Sequence, residues 1–93
     1  MSITRINEFQ AQEGKGEALR DLIESFVPLI ESSDGCQSCQ LLQSLEDPTR
    51  IVVIEVWDST EAHQASIKNI PPGALQEAMK LLAGPPKGGY YHP

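Results

Sequence analysis

The chain has 93 residues, the length of one small domain, and its composition of 40% hydrophobic and 22% charged residues is typical of a soluble globular protein. A net charge of −6 and a pI near 4.7, with the lysines and arginines scattered, argue against nucleic acid or an anionic membrane surface as a partner. No apolar run is long enough for a transmembrane helix, and the N-terminal residues do not resemble a signal peptide. We therefore expect one cytoplasmic domain over residues 1–93.

Hydrophobic periodicity predicts a strand, a helix, two strands joined by a hairpin, a helix broken in two, and a last strand. The predicted elements are Ser2–Gln10, Glu17–Ile30, Cys36–Leu45, Ile51–Trp57, Ser59–Lys68 with Ala74–Leu82, and Lys87–His92. Pro28 lies inside the first helix and predicts a kink or an early end there. The last strand has Gly and Pro neighbours, which favours a position at the edge of a sheet.

The predicted strand Ile51–Trp57 has two different faces, because alternate residues of a strand point to the same side. One face carries Val52, Ile54 and Val56. The other carries Ile51, Val53, Glu55 and Trp57. The wholly apolar first face predicts packing against helices, and the second face, with its carboxylate and indole, predicts the floor of a small pocket.

The order of the elements is the split βαβ plan of a ferredoxin-like α+β fold, with a four-stranded antiparallel sheet and helices on one face. No segment remains to cover the other face, which we expect to present Ile51, Val53 and Trp57. An exposed apolar patch of this kind usually marks an interface. We therefore expect a homodimer that packs sheet to sheet as a dimeric α/β barrel, with a cavity beside the interface.

Cys36 and Cys39 form a CQSC motif, which suits either a redox dithiol or half of a zinc site. A redox motif usually opens a helix, whereas this one lies on a predicted strand, where residues three apart point to opposite faces. The chain has no second cysteine pair to complete a zinc site. Two ordinary thiols are the favoured interpretation.

The chain resembles the antibiotic biosynthesis monooxygenase family of the dimeric α/β-barrel superfamily over nearly its whole length. The motifs that carry the resemblance are EGKG at 13–16, DGC at 34–36, EDP at 46–48, IEVWDS at 54–59 and EAH at 61–63. Each motif is short, and their order and spacing are more specific for the fold than for the reaction.

The resemblance implies a small oxygenase that needs no cofactor and acts on an electron-rich aromatic such as a hydroquinone or a polyketide anthrone, with molecular oxygen as co-substrate. Asn7 and Trp57 match family positions that line the pocket. Haem-degrading relatives carry a His further along the second helical segment, where this chain has Ile67–Asn69. That departure argues against haem chemistry.

Three residues are candidates for a catalytic role. Asn7 can donate a hydrogen bond to a phenolate oxygen, or is simply a solvated strand residue. Trp57 can offer its indole N–H and its ring to an aromatic substrate, or packs in a core or interface. His63 is a candidate base because imidazole titrates near neutral pH, or is an exposed residue of a surface helix.

Four further residues are candidates for substrate binding. Glu55 shares the face of Trp57, so its carboxylate must be either paired with a cation or hydrated. Arg5 is the natural partner for a structural ion pair with it. Tyr90 and His92 could close one end of the pocket, with His92 as a second possible base, or they belong to a frayed C-terminal edge.

The leading hypothesis is therefore a cofactor-free monooxygenase of a small electron-rich aromatic, with its pocket beside a dimer interface. The first alternative is a dimer of the same fold that binds a small ligand without catalysis, and the second is a haem-degrading relative. Oxygen uptake with hydroquinones and anthrones would separate the first two.

Overall fold

The structure is a computed structural model that describes residues 2–93. Its helices and strands are β1 (Ile3–Gln10), α1 (Gly16–Glu31), β2 (Cys36–Gln43), β3 (Arg50–Trp57), α2 (Thr60–Ser66), a 3₁₀ turn (Ile67–Asn69), α3 (Pro72–Leu81) and β4 (Lys87–Tyr91). The predicted order of elements and the ferredoxin-like α+β class are confirmed. None of the helices between residues 2 and 93 has the length and apolarity to cross a membrane.

The four strands form one antiparallel sheet in the order β2-β3-β1-β4, so β3 and β1 are central and β4 lies at an edge, as predicted. The register of β1 against β3 pairs Arg5 with Glu55 and Asn7 with Val53. Because paired residues share a face of the sheet, Arg5, Asn7 and Glu55 lie together on one side.

The helices cover the face of β3 that carries Ile51, Val53, Glu55 and Trp57. Ile51 and Val53 are buried in one core cluster with Leu19 and Ile23 of α1. The prediction that the opposite face, with its valines and Ile54, packs against the helices is therefore wrong. Composition alone favoured it, but Glu55 can lie inside because hydrogen-bond donors surround it.

The face of the sheet opposite the helices is only partly buried and carries an apolar patch among polar residues. Its members on the two central strands and at the edges include Ile6, Leu42, Val52, Ile54, Val56 and Tyr91. Sheet-to-sheet dimerisation remains a prediction, now carried by these residues instead of Ile51, Val53 and Trp57.

Helix α1 forms because its apolar residues recur at three- and four-residue steps, and it buries Leu19, Ile23 and Phe26. It continues through Pro28 to Glu31, so the early end considered at that proline does not occur. Its first residue, Gly16, lies against the hairpin, where a Cβ would stand 2.6 Å from the Pro48 carbonyl oxygen. A side chain at this position would push the helix away from the sheet.

A β-bulge near the start of β2 changes the expected geometry of the two cysteines. The register pairs Cys36 with Trp57 and Cys39 with Glu55, with a shift between Cys36 and Ser38. The extra residue puts both cysteines opposite residues of the same face, so the argument that they must point to opposite faces is wrong. Both are free thiols, and burial raises the pKa of Cys39 to about 12, the opposite of what a reactive redox thiol needs.

Candidate functional site

A cavity of about 480 Å³ lies between the sheet and the helices. Its walls are mainly apolar and include Phe9, Ile23, Phe26, Val53, Leu75 and Met79. Its polar lining residues are Arg5, Asn7, Glu55, His63 and Ser66. A mostly apolar cavity of this size with a few convergent polar groups is typical of a site for a small molecule.

Glu55 is the centre of the polar group and is only 4% exposed. Asn7 Nδ2 donates to Glu55 Oε2 at 2.7 Å, and Trp57 Nε1 donates to Glu55 Oε1 at 2.9 Å. The second contact follows from strand geometry, because residues two apart on β3 share a face. Each carboxylate oxygen therefore has a fixed donor, which holds the carboxyl group in one orientation.

Arg5 acts on Glu55 through Asn7. Arg5 Nε donates to Asn7 Oδ1 at 2.9 Å, and the ion pairs found within residues 2–93 do not include Arg5 with Glu55. The predicted direct ion pair is therefore replaced by a bridge through the Asn7 amide.

The Arg5 guanidinium is held by β4 on its other side. Its Cζ lies 4.7 Å from the centre of the Tyr90 ring, a cation–π contact. It also lies over Gly88, where a Cβ would stand 2.7 Å from that same Cζ. The absence of a side chain at this glycine leaves the space that the guanidinium fills.

His63 faces inward from the middle of α2 and is 8% exposed. The start of that helix is fixed by Ser59, whose Oγ accepts a hydrogen bond from the Ala62 N–H at 3.1 Å. His63 Nδ1 lies 2.7 Å from the Tyr90 hydroxyl, and its Nε2 lies 3.9 Å from Glu55 Oε1. Its ring makes an edge contact with Trp57, with centroids 5.6 Å apart.

Burial shifts both titratable groups toward their neutral forms. It raises the pKa of Glu55, against the lowering effects of the Trp57 N–H, the Arg5 charge and the Asn7 amide. It lowers the pKa of His63, and the Arg5 charge adds to that effect. The carboxyl group and the imidazole are thus neighbouring groups that can each accept or donate a proton.

The structure brings together six of the seven residues that the sequence indicated as site candidates. They are Arg5, Asn7, Glu55, Trp57, His63 and Tyr90. His92 is exposed, and its Nδ1 contacts the Pro93 carbonyl oxygen at 2.9 Å. His92 therefore lies outside this group.

Trp57 has a different position from the one expected. Its side chain is completely buried, it is not among the residues that line the cavity, and its N–H is engaged by Glu55. It therefore holds the carboxyl group, and its role toward a ligand stays a prediction.

Ser66 is a lining residue that the sequence reasoning missed. Its Oγ donates to the His63 carbonyl oxygen at 2.6 Å. The spacing of three residues from His63 on one helix was the available signal. The following 3₁₀ turn, Ile67–Asn69, carries no histidine, and residues 2–93 contain no group of three or more His, Cys, Asp or Glu side chains placed to hold a metal ion.

Three solved structures show how widely the fold is shared. Rv0793 from Mycobacterium tuberculosis has a TM-score of 0.85 at 22% identity, with 100% of this chain and 95% of that chain covered. A Chloroflexus aurantiacus protein assigned to the antibiotic biosynthesis monooxygenases has a TM-score of 0.81 at 29% identity, covering 100% and 93%. SnoaB from Streptomyces nogalater, a cofactor-independent oxygenase in mutant form, has a TM-score of 0.81 at 17% identity, covering 99% and 92%.

No curated protein is significantly similar to the chain in sequence. The likenesses at 22% and 17% identity show a common fold alone. The sequence model of the antibiotic biosynthesis monooxygenase family, however, matches residues 2–78. The resemblance in the short motifs is thereby confirmed, and the chain belongs to the antibiotic biosynthesis monooxygenase family.

Proposed function

We propose that this protein is a cofactor-free monooxygenase that oxidises a small electron-rich aromatic, such as a hydroquinone or a polyketide-like phenol, in the cavity above Glu55. The observation that carries the proposal is a buried carboxyl group with an adjacent imidazole at the polar end of an otherwise apolar cavity. Such a site can remove a proton from a substrate that packs on the apolar walls.

The reaction balances without an external reductant. A phenol with a free ring C–H, together with O2, gives a quinone and water, so one oxygen atom enters the ring and the other leaves as water. The substrate loses four electrons, and O2 gains them. The protein has to remove the phenolic proton, because the resulting phenolate is the species that passes an electron to O2.

Glu55 is the proposed proton acceptor, with His63 beside it. When Glu55 is ionised, the favourable imidazole tautomer points its Nε2–H at the carboxylate and accepts the Tyr90 O–H at Nδ1. His63, the base expected from the sequence, then supports the carboxylate. Asn7 and Trp57 become positioning residues, because their N–H groups hold Glu55.

The proposal includes a homodimer formed through the open face of the sheet. That face exposes part of Ile6, Val52, Ile54 and Tyr91, a patch that a second copy would remove from water. We also retain the cytoplasm as the compartment, which two free thiols favour.

Oxygen uptake tests the proposal. The purified protein is mixed with a panel of hydroquinones, naphthols and anthrones in chelator-treated buffer, and autoxidation without protein is subtracted. Glu55→Gln should lower kcat/KM by a factor on the order of 10²–10⁴. Arg20→Met, which removes an exposed guanidinium on α1, should leave turnover unchanged. Absence of turnover with the whole panel would refute the enzyme assignment.

A second candidate function is ligand binding without catalysis. The observation in its favour is that the N–H donors of Asn7 and Trp57 are already engaged by Glu55, which leaves fewer groups for a reacting oxygen. Tight binding of an aromatic from the panel without oxygen uptake would support this function instead.

A further inference from the structure

The polarity of the cavity falls along the strands from one end to the other. On β1 the inward residues run Arg5, Asn7, Phe9, and their partners on β3 run Glu55, Val53, Ile51. Both strands thus change from polar to apolar over the same stretch. At about 3.3 Å per residue, Phe9 lies roughly 13 Å from Arg5 along the sheet.

The polar end combines a donor and an acceptor that are neighbours. Arg5 and Glu55 are register partners, so their Cβ atoms lie about 5 Å apart. Arg5 uses its Nε on Asn7, which leaves the N–H groups of its two terminal nitrogens. Glu55 accepts one hydrogen bond at each oxygen, and a carboxylate can accept about four. Both residues line the cavity.

The other end of the cavity floor is apolar. Phe9 lines it on β1, and Leu82 lies beside that end because it pairs with Ala11. A ligand hydroxyl placed among these side chains loses its hydrogen bonds to water and gains none, which weakens binding.

We infer that the cavity selects aromatic ligands with oxygens on two adjacent ring carbons of one edge and no polar group on the opposite edge. One hydroxyl donates to Glu55, and the neighbouring oxygen accepts from the Arg5 guanidinium. Only the statement that such a ligand is a substrate rests on the proposed function. With that function, the substrates are catechol-like molecules with an apolar body.

Two isomeric naphthalenediols test the inference by calorimetric titration without oxygen, in chelator-treated buffer. In 2,3-dihydroxynaphthalene the hydroxyls share one edge, whereas in 2,6-dihydroxynaphthalene they lie at opposite ends. The 2,3 isomer should bind roughly 10- to 100-fold more tightly, because only one hydroxyl of the 2,6 isomer can reach Glu55 and Arg5.

Arg5→Met should reduce this preference to less than about threefold, because the partner of the second oxygen is removed. Arg20→Met, the surface control, should keep the preference of the unmodified protein. The comparison of the two isomers on the unmodified protein stands even if Arg5→Met does not fold.

Equal affinity for the two isomers, tighter binding of the 2,6 isomer, or no binding of either would overturn the inference. These results are independent of turnover, since oxygen is excluded. If other aromatics give oxygen uptake but the two isomers bind equally, the proposed function stands and the preference for adjacent oxygens fails. If the 2,3 isomer binds more tightly but no aromatic gives oxygen uptake, the preference stands and the proposed function fails.

Discussion

Trp57→Phe removes the indole N–H that Glu55 Oε1 accepts at 2.9 Å, while it keeps an aromatic ring in a completely buried position. A hydrogen bond to a charged group contributes about 1.5–3 kcal/mol to stability. The smaller ring adds a loss on the order of 1 kcal/mol for the space it leaves. We therefore expect the free energy of unfolding to fall by roughly 2.5–4 kcal/mol at neutral pH.

The hydrogen-bond part of this loss should depend on pH. Burial raises the pKa of Glu55 in the folded protein above its value in the unfolded chain. The folded state therefore binds more protons between these two pKa values, and the contribution of Glu55 to stability falls as the pH rises through that window. Loss of the Trp57 donor raises the folded pKa further, because that N–H favours the ionised carboxylate. The deficit of Trp57→Phe should consequently be larger at about pH 8 than at about pH 5.

Urea unfolding measures this loss of unfolding free energy. Far-UV circular dichroism follows the transition instead of fluorescence, because the chain has one Trp and the variant therefore has no indole. Leu19→Ala is the control, because it removes buried apolar volume at a position that does not line the cavity beside Glu55. Its deficit should not change with pH. A Trp57→Phe deficit that is equal at both pH values would refute the argument that the indole stabilises an ionised Glu55.

Two further expectations concern the support of the site and the assembly. Gly88→Ala should displace the Arg5 guanidinium and lower the free energy of unfolding by about 0.5–1 kcal/mol in urea titrations, because this flexible side chain can move aside but gives up its contacts with Asn7 and Tyr90. Gly73→Ala, with nothing within 4 Å of its Cβ, should be neutral or slightly stabilising, and equal effects of the two substitutions would contradict the role given to Gly88. Ile54→Asp should convert the expected dimer to a monomer in size-exclusion chromatography with light scattering, because it places a charge on the open sheet face, while Leu45→Asp in the fully exposed hairpin should not. A folded monomer of the unmodified chain at micromolar concentration would contradict the dimer.

The fold could be predicted from the sequence because its signals are local. The two-residue alternation of the strands, the three- and four-residue steps of α1 and the turn residues between them specify the order of elements. Only one fold class places that order in a single compact sheet with helices on one side. The edge position of β4 followed from Gly and Pro neighbours in the same way.

The assignment of the two faces of β3 failed because it depends on distant residues. Glu55 can be buried only because Asn7, 48 positions away in the chain, supplies one of its two donors. The pattern of β3 alone favoured the opposite arrangement, since the valines and Ile54 are wholly apolar. The bulge at Cys36 was hidden for a similar reason, because it becomes visible only once β2 is paired with β3.

The grouping of the candidate residues was largely predictable, whereas their contacts with one another were not. Asn7, Trp57 and His63 were expected to meet the substrate, which stays a prediction; in the structure the first two donate to Glu55 and the third lies between Glu55 and Tyr90. Those contacts depend on side-chain directions and on which donor reaches which oxygen. Spacing along the chain does not determine either.

The most direct test of the proposed oxygenase is incorporation of labelled oxygen. The protein is incubated under ¹⁸O2 in chelator-treated buffer with the aromatic that gives the fastest oxygen uptake, and the product is analysed by mass spectrometry. One ¹⁸O atom per product molecule, with far slower formation of labelled product in the Glu55→Gln variant, is the result that this account expects. A product without label, or the same labelling rate in that variant, would contradict it.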